Sequence, residues 1–183
     1  TWKGHTVNLI DTPGYADFVG DVAAALRVVD LAVFVVSAVE GVEVQTEAIW
    51  KMAAELGVPR MVFVNKLDRE RASFPRVLDQ LRDRFGAGIA PLELPIGEEA
   101  TFRGVADLLT DTAFTYDTGT AVQGEIPDDM EAQEHEVHDN LVEGIVVADD
   151  ELLEGYLEGE IPSVEALEHT LAHGVAGAQV FPV

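Results

Sequence analysis

The first half of the chain alternates short apolar runs with segments of helical periodicity, and this alternation constrains the fold most strongly. Residues 31–36 and 61–64 are apolar runs with the length and β-branched content of buried strands. Apolar residues recur at helical spacing over residues 18–29, 47–56 and 74–85. The alternation predicts an α/β fold with a doubly wound parallel sheet, whose strands are buried on both faces.

The second half has a different pattern and a different charge. Residues 1–92 carry 12 acidic and 10 basic side chains, whereas residues 93–183 carry 22 acidic side chains and one base, Arg103. Strands are predicted over residues 89–96 and within 102–116, followed by helices over 127–147 and 150–157 and a last helix capped by Ser163. The composition therefore predicts a second, acidic α+β module.

Composition also excludes several classes of function. The chain has no cysteine, so disulfides and thiolate metal sites are impossible. The absence of cysteine is compatible with a cytoplasmic protein. No apolar stretch approaches the length of a membrane span. With a net charge of −23, direct sequence-specific binding of nucleic acid is not expected. The acidic half suits a basic protein partner, or it is simply a soluble acidic surface.

The motif Asn65-Lys66-Leu67-Asp68 directly follows the apolar run at 61–64. A carboxylate only accepts hydrogen bonds, so Asp68 can pair with the two donors on the N1–H and N2–H₂ edge of guanine, whereas adenine lacks that pair. Asn65 can brace the loop, and the aliphatic stem of Lys66 can cover the face of the base. The alternative is an ordinary polar loop after a strand.

A second motif, Asp11-Thr12-Pro13-Gly14, follows residues 7–10, which we predict to be a strand. Asp11 can support Mg²⁺ through water, and Gly14 leaves its N–H open to a γ-phosphate. A turn that simply ends a strand would use the same residue types. Ligands of α/β sheets bind beyond the carboxyl ends of the strands, where we expect both motifs to lie.

Together with these motifs, further segments make the chain similar to bacterial elongation factor G. The segments that carry the similarity include Asp17-Phe18, Leu26-Arg27-Val28-Val29-Asp30, Ser37-Ala38-Val39-Glu40-Gly41-Val42-Glu43, Gln45-Thr46-Glu47, Gly57-Val58-Pro59-Arg60, Leu94-Pro95-Ile96-Gly97, Phe102-Arg103-Gly104-Val105-Ala106-Asp107-Leu108 and Tyr156-Leu157-Glu158-Gly159. The resemblance implies a ribosome-associated GTPase that uses GTP/GDP and Mg²⁺ to drive a step of protein synthesis such as translocation. It also implies that a subdomain is inserted after Leu94-Pro95-Ile96-Gly97 and contacts the ribosomal stalk protein.

On this basis we divide the chain into three parts. Residues 1–92 are a partial GTP-binding domain, residues 93–177 the acidic inserted subdomain, and residues 178–183 a return strand of the GTPase sheet. The phosphate-binding motif G-x-x-x-x-G-K-[ST] is absent from the sequence, and we expect it to precede Thr1. The loop that completes the guanine pocket is expected after Val183.

Tyr15 stands where the family usually has the histidine that positions the attacking water. Tyrosine can donate one hydrogen bond but cannot become a cation. Two alternatives to a hydrolysing elongation factor stay open, the first because of Tyr15 and the second because other translational GTPases share the two motifs. One is a non-hydrolysing module that binds guanine nucleotide or the ribosome. The other is a GTPase of the release factor 3 or ribosome-protection type.

Overall fold

Eight strands and six helices follow one another in the part of the chain that the computed structural model describes, residues 4–117, 119–147 and 149–183. The strands are β1 (Ala32–Ser37), β2 (Arg60–Asn65), β3 (Ile89–Ala90), β4 (Glu93–Ile96), β5 (Gly104–Asp107), β6 (Thr112–Asp117), β7 (Thr120–Gly124) and β8 (Phe181–Pro182). The helices are α1 (Val19–Leu26), α2 (Val44–Glu55), α3 (Phe74–Phe85), α4 (Glu131–Val146), α5 (Asp150–Leu157) and α6 (Val164–Ala176). The fold is mixed α/β.

Two parallel strand pairs lie in the first part of the fold. β1 and β2 are joined by α2 and pair in parallel with Ser37 opposite Asn65. β3 pairs in parallel with β8, at the other end of the chain, with Ile89 opposite Phe181. β8 also lies beside β2, which brings the two pairs together. Parallel pairing through a helical connection agrees with the predicted alternation, while the complete doubly wound sheet stays a prediction.

Residues 93–124 form an antiparallel sheet in the order β4-β5-β6-β7, and α4, α5 and α6 follow it. The single strand predicted over residues 89–96 is wrong, because its two halves belong to different sheets. Pro91 separates them; it has no N–H for a ladder, and the next residue, Leu92, donates its N–H to the Val183 carbonyl at 2.8 Å. β7 was not predicted, since its residues are all exposed and carry no apolar alternation.

The strand predicted at residues 7–10 is also absent. This segment has no regular secondary structure, and Val7, Leu9 and Ile10 are 60%, 90% and 54% exposed. An extended segment becomes a strand only when a neighbour pairs with its backbone. Within the described residues, β1 pairs only with β2, so no strand partner holds residues 7–10.

The prediction that β1 is buried on both faces is wrong as well. Phe34 and Val36 are buried, but Val33 and Val35 on the other face are 51% and 63% exposed. Phe63, which lies opposite Val35 in the register, is 55% exposed. Among the described residues, this face is therefore only partly covered. The apolar run gave the strand correctly but could not tell how many of its faces are covered.

Aromatic side chains around Trp50 form the centre of the core in the first part of the fold. The Trp50 ring stacks on Phe85 at 4.2 Å and meets Phe34 at 4.9 Å and Phe181 at 5.0 Å between ring centroids. The Arg60 guanidinium lies 4.4 Å from the Phe181 ring and 4.9 Å from that of Trp50. Burial lowers the pKa of Arg60. The cluster joins β1, α2, β2, α3 and β8.

Side chains cap the last two helices, and the cap by Ser163 is the one that the sequence predicts. The Asp149 carboxylate accepts hydrogen bonds from the N–H groups of Glu151 and Leu152 at the start of α5. The Ser163 hydroxyl accepts one from the Ala166 N–H at the start of α6. α4 begins at Glu131, four residues later than predicted. In the described part of the chain, none of the helices has the length and apolarity that crossing a membrane requires.

Replacing Asp149 with Ala is expected to lower the free energy of unfolding by about 1 kcal/mol, because two N–H groups lose their acceptor. Urea unfolding followed by circular dichroism measures the change. Asp149→Asn is the matched control, since its side-chain oxygen can still cap the helix and most of the stability should remain. Equal losses in both variants would show that charge, rather than the cap hydrogen bonds, matters at this position.

Candidate functional site

The loop Asn65–Asp68 begins where β2 ends, as the sequence predicts. Its neighbour is the turn after β1, because Ser37 and Asn65 are opposite each other in the parallel register. The Ala38 N–H donates to the Asn65 carbonyl at 2.8 Å and ties the two strand ends together. Two loops that carry polar side chains therefore meet at the carboxyl edge of the β1–β2 pair, where α/β folds bind ligands.

The backbone of this loop is held in an uncommon conformation. Lys66 has φ of 63°, in the left-handed region that side chains other than glycine rarely adopt. The Asn65 Oδ1 accepts a hydrogen bond from the Lys66 N–H at 2.8 Å, so the Asn65 side chain braces the loop as the sequence predicts. Such outliers persist where the surroundings fix them, and they cluster at functional sites.

The charged groups of the loop are accessible. The Lys66 Nζ lies 3.5 Å from a Glu40 carboxylate oxygen. The Asp68 Oδ2 lies 3.7 Å from the Nε of its neighbour Arg69, and 62% of the Asp68 side chain is exposed. This long, exposed contact leaves the Asp68 carboxylate with free acceptor positions for a ligand.

The loop forms one wall of a cavity of about 280 Å³. Strands β4, β5 and β6 supply most of the opposite side, and aromatic rings contribute to the lining. The lining residues outside β2 and the loop are Phe74, Glu93, Pro95, Phe102, Val105, Tyr116 and Val183. The volume is close to the lower end of small-molecule pockets, which suits one planar base better than a whole nucleotide.

Glu93 is a polar group of this cavity that the sequence did not single out. It lies on β4 directly opposite Asp107 on β5. Desolvation raises the pKa of Glu93, and the nearby Asp107 carboxylate raises it further. Only the strand register brings the two carboxyl groups together, so no local sequence pattern could have identified the pair.

The motif Asp11–Gly14 lies apart from this cavity. Asp11, Pro13 and Gly14 are exposed, and the motif precedes a 3₁₀ turn, Ala16–Phe18, that leads into α1. Within the described residues, no residue of this motif lines the cavity that the loop Asn65–Asp68 lines. The expectation that both motifs follow strands therefore holds for one of them only, because residues 7–10 do not form a strand.

Two further positions bear on the chemistry predicted for the first motif. The Tyr15 side chain is 79% exposed. No cluster of three or more His, Asp or Glu side chains able to hold a metal occurs in the described part of the chain. Mg²⁺ commonly binds through one or two carboxylates together with water and substrate phosphates. A single carboxylate at Asp11 fits that kind of ion and does not fit an all-protein metal site.

Comparison with known proteins gives two similarities. Residues 1–175 match the family model described as the Elongation factor Tu GTP binding domain. The fold is similar to the crystal structure of a protein from Thermus thermophilus, with 39% sequence identity and a TM-score of 0.92. That similarity covers 100% of this chain and 27% of the Thermus chain. Because the family model matches residues 1–175 of the 183 residues, the chain belongs to the family of the Elongation factor Tu GTP binding domain.

Proposed function

We propose that this chain binds GTP and GDP as part of a translational GTPase, and that the loop Asn65–Asp68 recognises the guanine base. The observation that carries the proposal is the loop itself, which lies at the carboxyl end of β2 and lines an apolar cavity. The family of the chain supports the binding of GTP and GDP, and the accessible Asp68 carboxylate supports the recognition of guanine.

Each polar residue of the loop has a separate role in this proposal. Asp68 accepts hydrogen bonds from the N1–H and the exocyclic amine of guanine. Asn65 holds the loop through its bond to the Lys66 N–H. Lys66 lays its aliphatic stem against the base, while Leu67 contributes apolar lining. Adenine would leave Asp68 desolvated and unpaired, which is the source of the selectivity.

The phosphate side of the site would involve Asp11, Thr12, Pro13 and Gly14. Mg²⁺, when bound, neutralises charge on the phosphates, and Asp11 would hold it through water. A Cβ at Gly14 would meet no heavy atom within 4 Å, so a γ-phosphate could approach this part of the backbone closely. Hydrolysis would proceed by attack of water on the γ-phosphate, with Tyr15 at the position that orients this water.

A non-hydrolysing nucleotide-binding module is the second candidate, and Tyr15 is the residue that favours it. Tyr15 is exposed in this structure, and its phenol cannot supply the positive charge of an imidazolium. Comparing GTP turnover on ribosomes between the unaltered parent protein and its Tyr15→His variant separates the two candidates. Strong turnover by the unaltered protein contradicts the non-hydrolysing candidate.

The finer assignment rests on the resemblance to elongation factor G. We propose a cytoplasmic factor that acts on the ribosome in a step such as translocation, rather than one of the release factor 3 or ribosome-protection type. Residues 1–92 would be part of the GTP-binding domain and residues 178–183 its return strand. Residues 93–177 would be the inserted subdomain that contacts the ribosomal stalk protein. Residues 93–183 carry 22 acidic side chains and one basic side chain, and this negative charge favours a basic surface on that partner.

Calorimetric titration of the 183-residue chain with GDP, and with ADP as the control, tests the guanine site. We expect saturable GDP binding and ADP binding weaker by about 100-fold or more, because adenine leaves the Asp68 carboxylate unpaired. Equal affinity for the two nucleotides would contradict base recognition by this loop. Binding of neither would contradict the proposal that residues 1–183 bind guanine nucleotide.

A further inference from the structure

The turn that follows β1 is organised by the Ser37 side chain. The Ser37 hydroxyl oxygen accepts hydrogen bonds from the N–H groups of Val39 at 3.2 Å and Glu40 at 3.3 Å. The same hydroxyl donates to the Glu40 carboxylate, and the Gly41 N–H donates to the Ser37 carbonyl at 2.8 Å. Ser37 therefore fixes both the path of the turn and the direction of the Glu40 side chain.

Helix α3 holds this turn from the other side. The Arg76 Nη2 donates to the carbonyls of Ala38 at 2.8 Å and Val39 at 2.7 Å. The Gln80 Oε1 accepts from the Val42 N–H at 3.0 Å. Gly41 permits this approach: its φ is 79°, and a Cβ there would lie 2.1 Å from the Gln80 Oε1. The turn is thus anchored to a helix and is not a free surface loop.

Glu40 connects this anchored turn to the loop Asn65–Asp68. One Glu40 carboxylate oxygen lies 3.5 Å from the Lys66 Nζ. The Ser37 hydrogen bond lowers the pKa of Glu40 most, and the positive charge of Lys66 lowers it further. The carboxylate therefore remains ionised, as pairing with a lysine requires.

We propose that Glu40 is a positioning residue for Lys66 and that Ser37 is its support. The proposal rests on the proposed function, because it concerns the lysine that would cover the guanine base. A lysine side chain has four flexible carbons and loses rotamer freedom when it packs on a ligand. A carboxylate fixed on an anchored turn limits that freedom in advance, so part of the ordering cost is removed before the nucleotide binds.

The exposure of the pair sets the size of the effect. The Lys66 and Glu40 side chains are 51% and 49% exposed, so solvent weakens their attraction. Ion pairs of this kind contribute little, and their loss changes an affinity by about 2- to 5-fold. The positioning role therefore predicts a small loss of GDP affinity together with a clear change in the surroundings of Lys66.

The small number of lysines allows a direct spectroscopic test on the full chain. Lys3, Lys51 and Lys66 are the lysines of the sequence, so reductive ¹³C-methylation gives one resonance for each side chain. The informative variant is Glu40→Gln, which keeps the shape and removes the charge. Glu43→Gln is the matched control, because Glu43, the residue just before α2, is an exposed glutamate of the same connection that makes no side-chain cap bond.

We expect Glu40→Gln to shift the Lys66 resonance, to abolish its response to acidification and to weaken GDP binding by about 3-fold. In the unaltered chain, the Lys66 signal should follow Glu40. Because the pKa of Glu40 is lowered, the signal should stay constant down through the ordinary range of glutamate and change only at lower pH. Glu43→Gln should leave the Lys66 resonance, its pH response and the GDP affinity unchanged.

A Lys66 resonance that is the same in Glu40→Gln and in the unaltered chain would overturn the proposal. So would a shifted resonance with unchanged GDP affinity, because Glu40 would then contact Lys66 without positioning it for the nucleotide. If the unaltered chain binds no GDP, the proposed function fails. The Lys66 resonance then still decides separately whether Glu40 holds this lysine.

Discussion

Replacing Asp68 with Asn is expected to weaken GDP binding by about 100-fold or more while leaving the chain folded. Sites built to hydrogen-bond a ligand lose orders of magnitude when a partner is mismatched, because buried polar groups are left unpaired. The Asp68 carboxylate is exposed and makes only a 3.7 Å contact with Arg69, so its loss should cost little stability. The expected effect is therefore confined to nucleotide binding.

The same substitution should change which base is preferred. A carboxylate offers two acceptor oxygens, whereas an amide offers one acceptor and one NH₂ donor. The amide donor would face the exocyclic amine of guanine, which is also a donor. Xanthine has a carbonyl at that position, so Asp68→Asn should bind xanthosine diphosphate better than the unaltered chain does. Calorimetric titration of both chains with GDP and with xanthosine diphosphate measures this change in preference.

Asp79→Asn is the matched control for this experiment. Asp79 is an exposed carboxylate on α3, outside the loop and outside the cavity that the loop lines. Its replacement should leave the affinity for both nucleotides unchanged. If Asp68→Asn binds GDP as tightly as the unaltered chain, Asp68 does not read the base and the guanine edge must be recognised elsewhere.

The parts of the fold that follow from local chemistry were predictable. α3 spans Phe74–Phe85, as its apolar periodicity predicts, and Gly86 follows its last residue. Gly57 adopts φ of 69° just after α2, in the left-handed conformation that commonly ends helices. Asp149 and Ser163 cap their helices through their own side chains. Each of these features depends on residues within one or two helical turns.

The predictions that failed depended on distant partners. Residues 7–10 have the composition of a strand, but no described strand pairs with them. The strand expected at 89–96 is divided because β3 pairs with β8, more than ninety residues away, while β4 pairs with β5. Periodicity reports the conformation that a segment favours and says nothing about which partner it finds.

The candidate site divides in the same way. The loop Asn65–Asp68 was predictable because its residues are consecutive and follow an apolar strand. Glu40 and Glu93 could not be predicted as parts of the site. Glu40 contacts Lys66 of the loop and Glu93 lines the cavity, and both contacts depend on strand pairing between segments that are distant in the sequence. The sequence showed Gly41 only as one residue of a segment similar to elongation factor G. Its structural role could not be predicted, because its close approach to Gln80 depends on how α3 packs.

Replacing Trp50 with Ala is expected to destabilise the chain by about 3–5 kcal/mol, a large fraction of the stability of an ordinary domain. Trp50 is 6% exposed and stacks on Phe85 with an interplanar angle of 15°. Its removal would leave a cavity among side chains from four other elements, β1, β2, α3 and β8. It would also take an aromatic face away from the buried Arg60 guanidinium, which lies 4.9 Å from the Trp50 ring.

Urea unfolding followed by far-ultraviolet circular dichroism measures this loss, since the substitution removes the buried fluorophore. Tyr15→Ala is the control, because this aromatic side chain is 79% exposed and its removal should change the stability by about 0.5 kcal/mol or less. Trp50→Phe should fall between the two, because a smaller ring keeps part of the contact with Phe85. A loss below about 1 kcal/mol for Trp50→Ala would contradict the packing described here. An indole buried at the junction of β1, α2, β2, α3 and β8 contributes more than that to the free energy of unfolding.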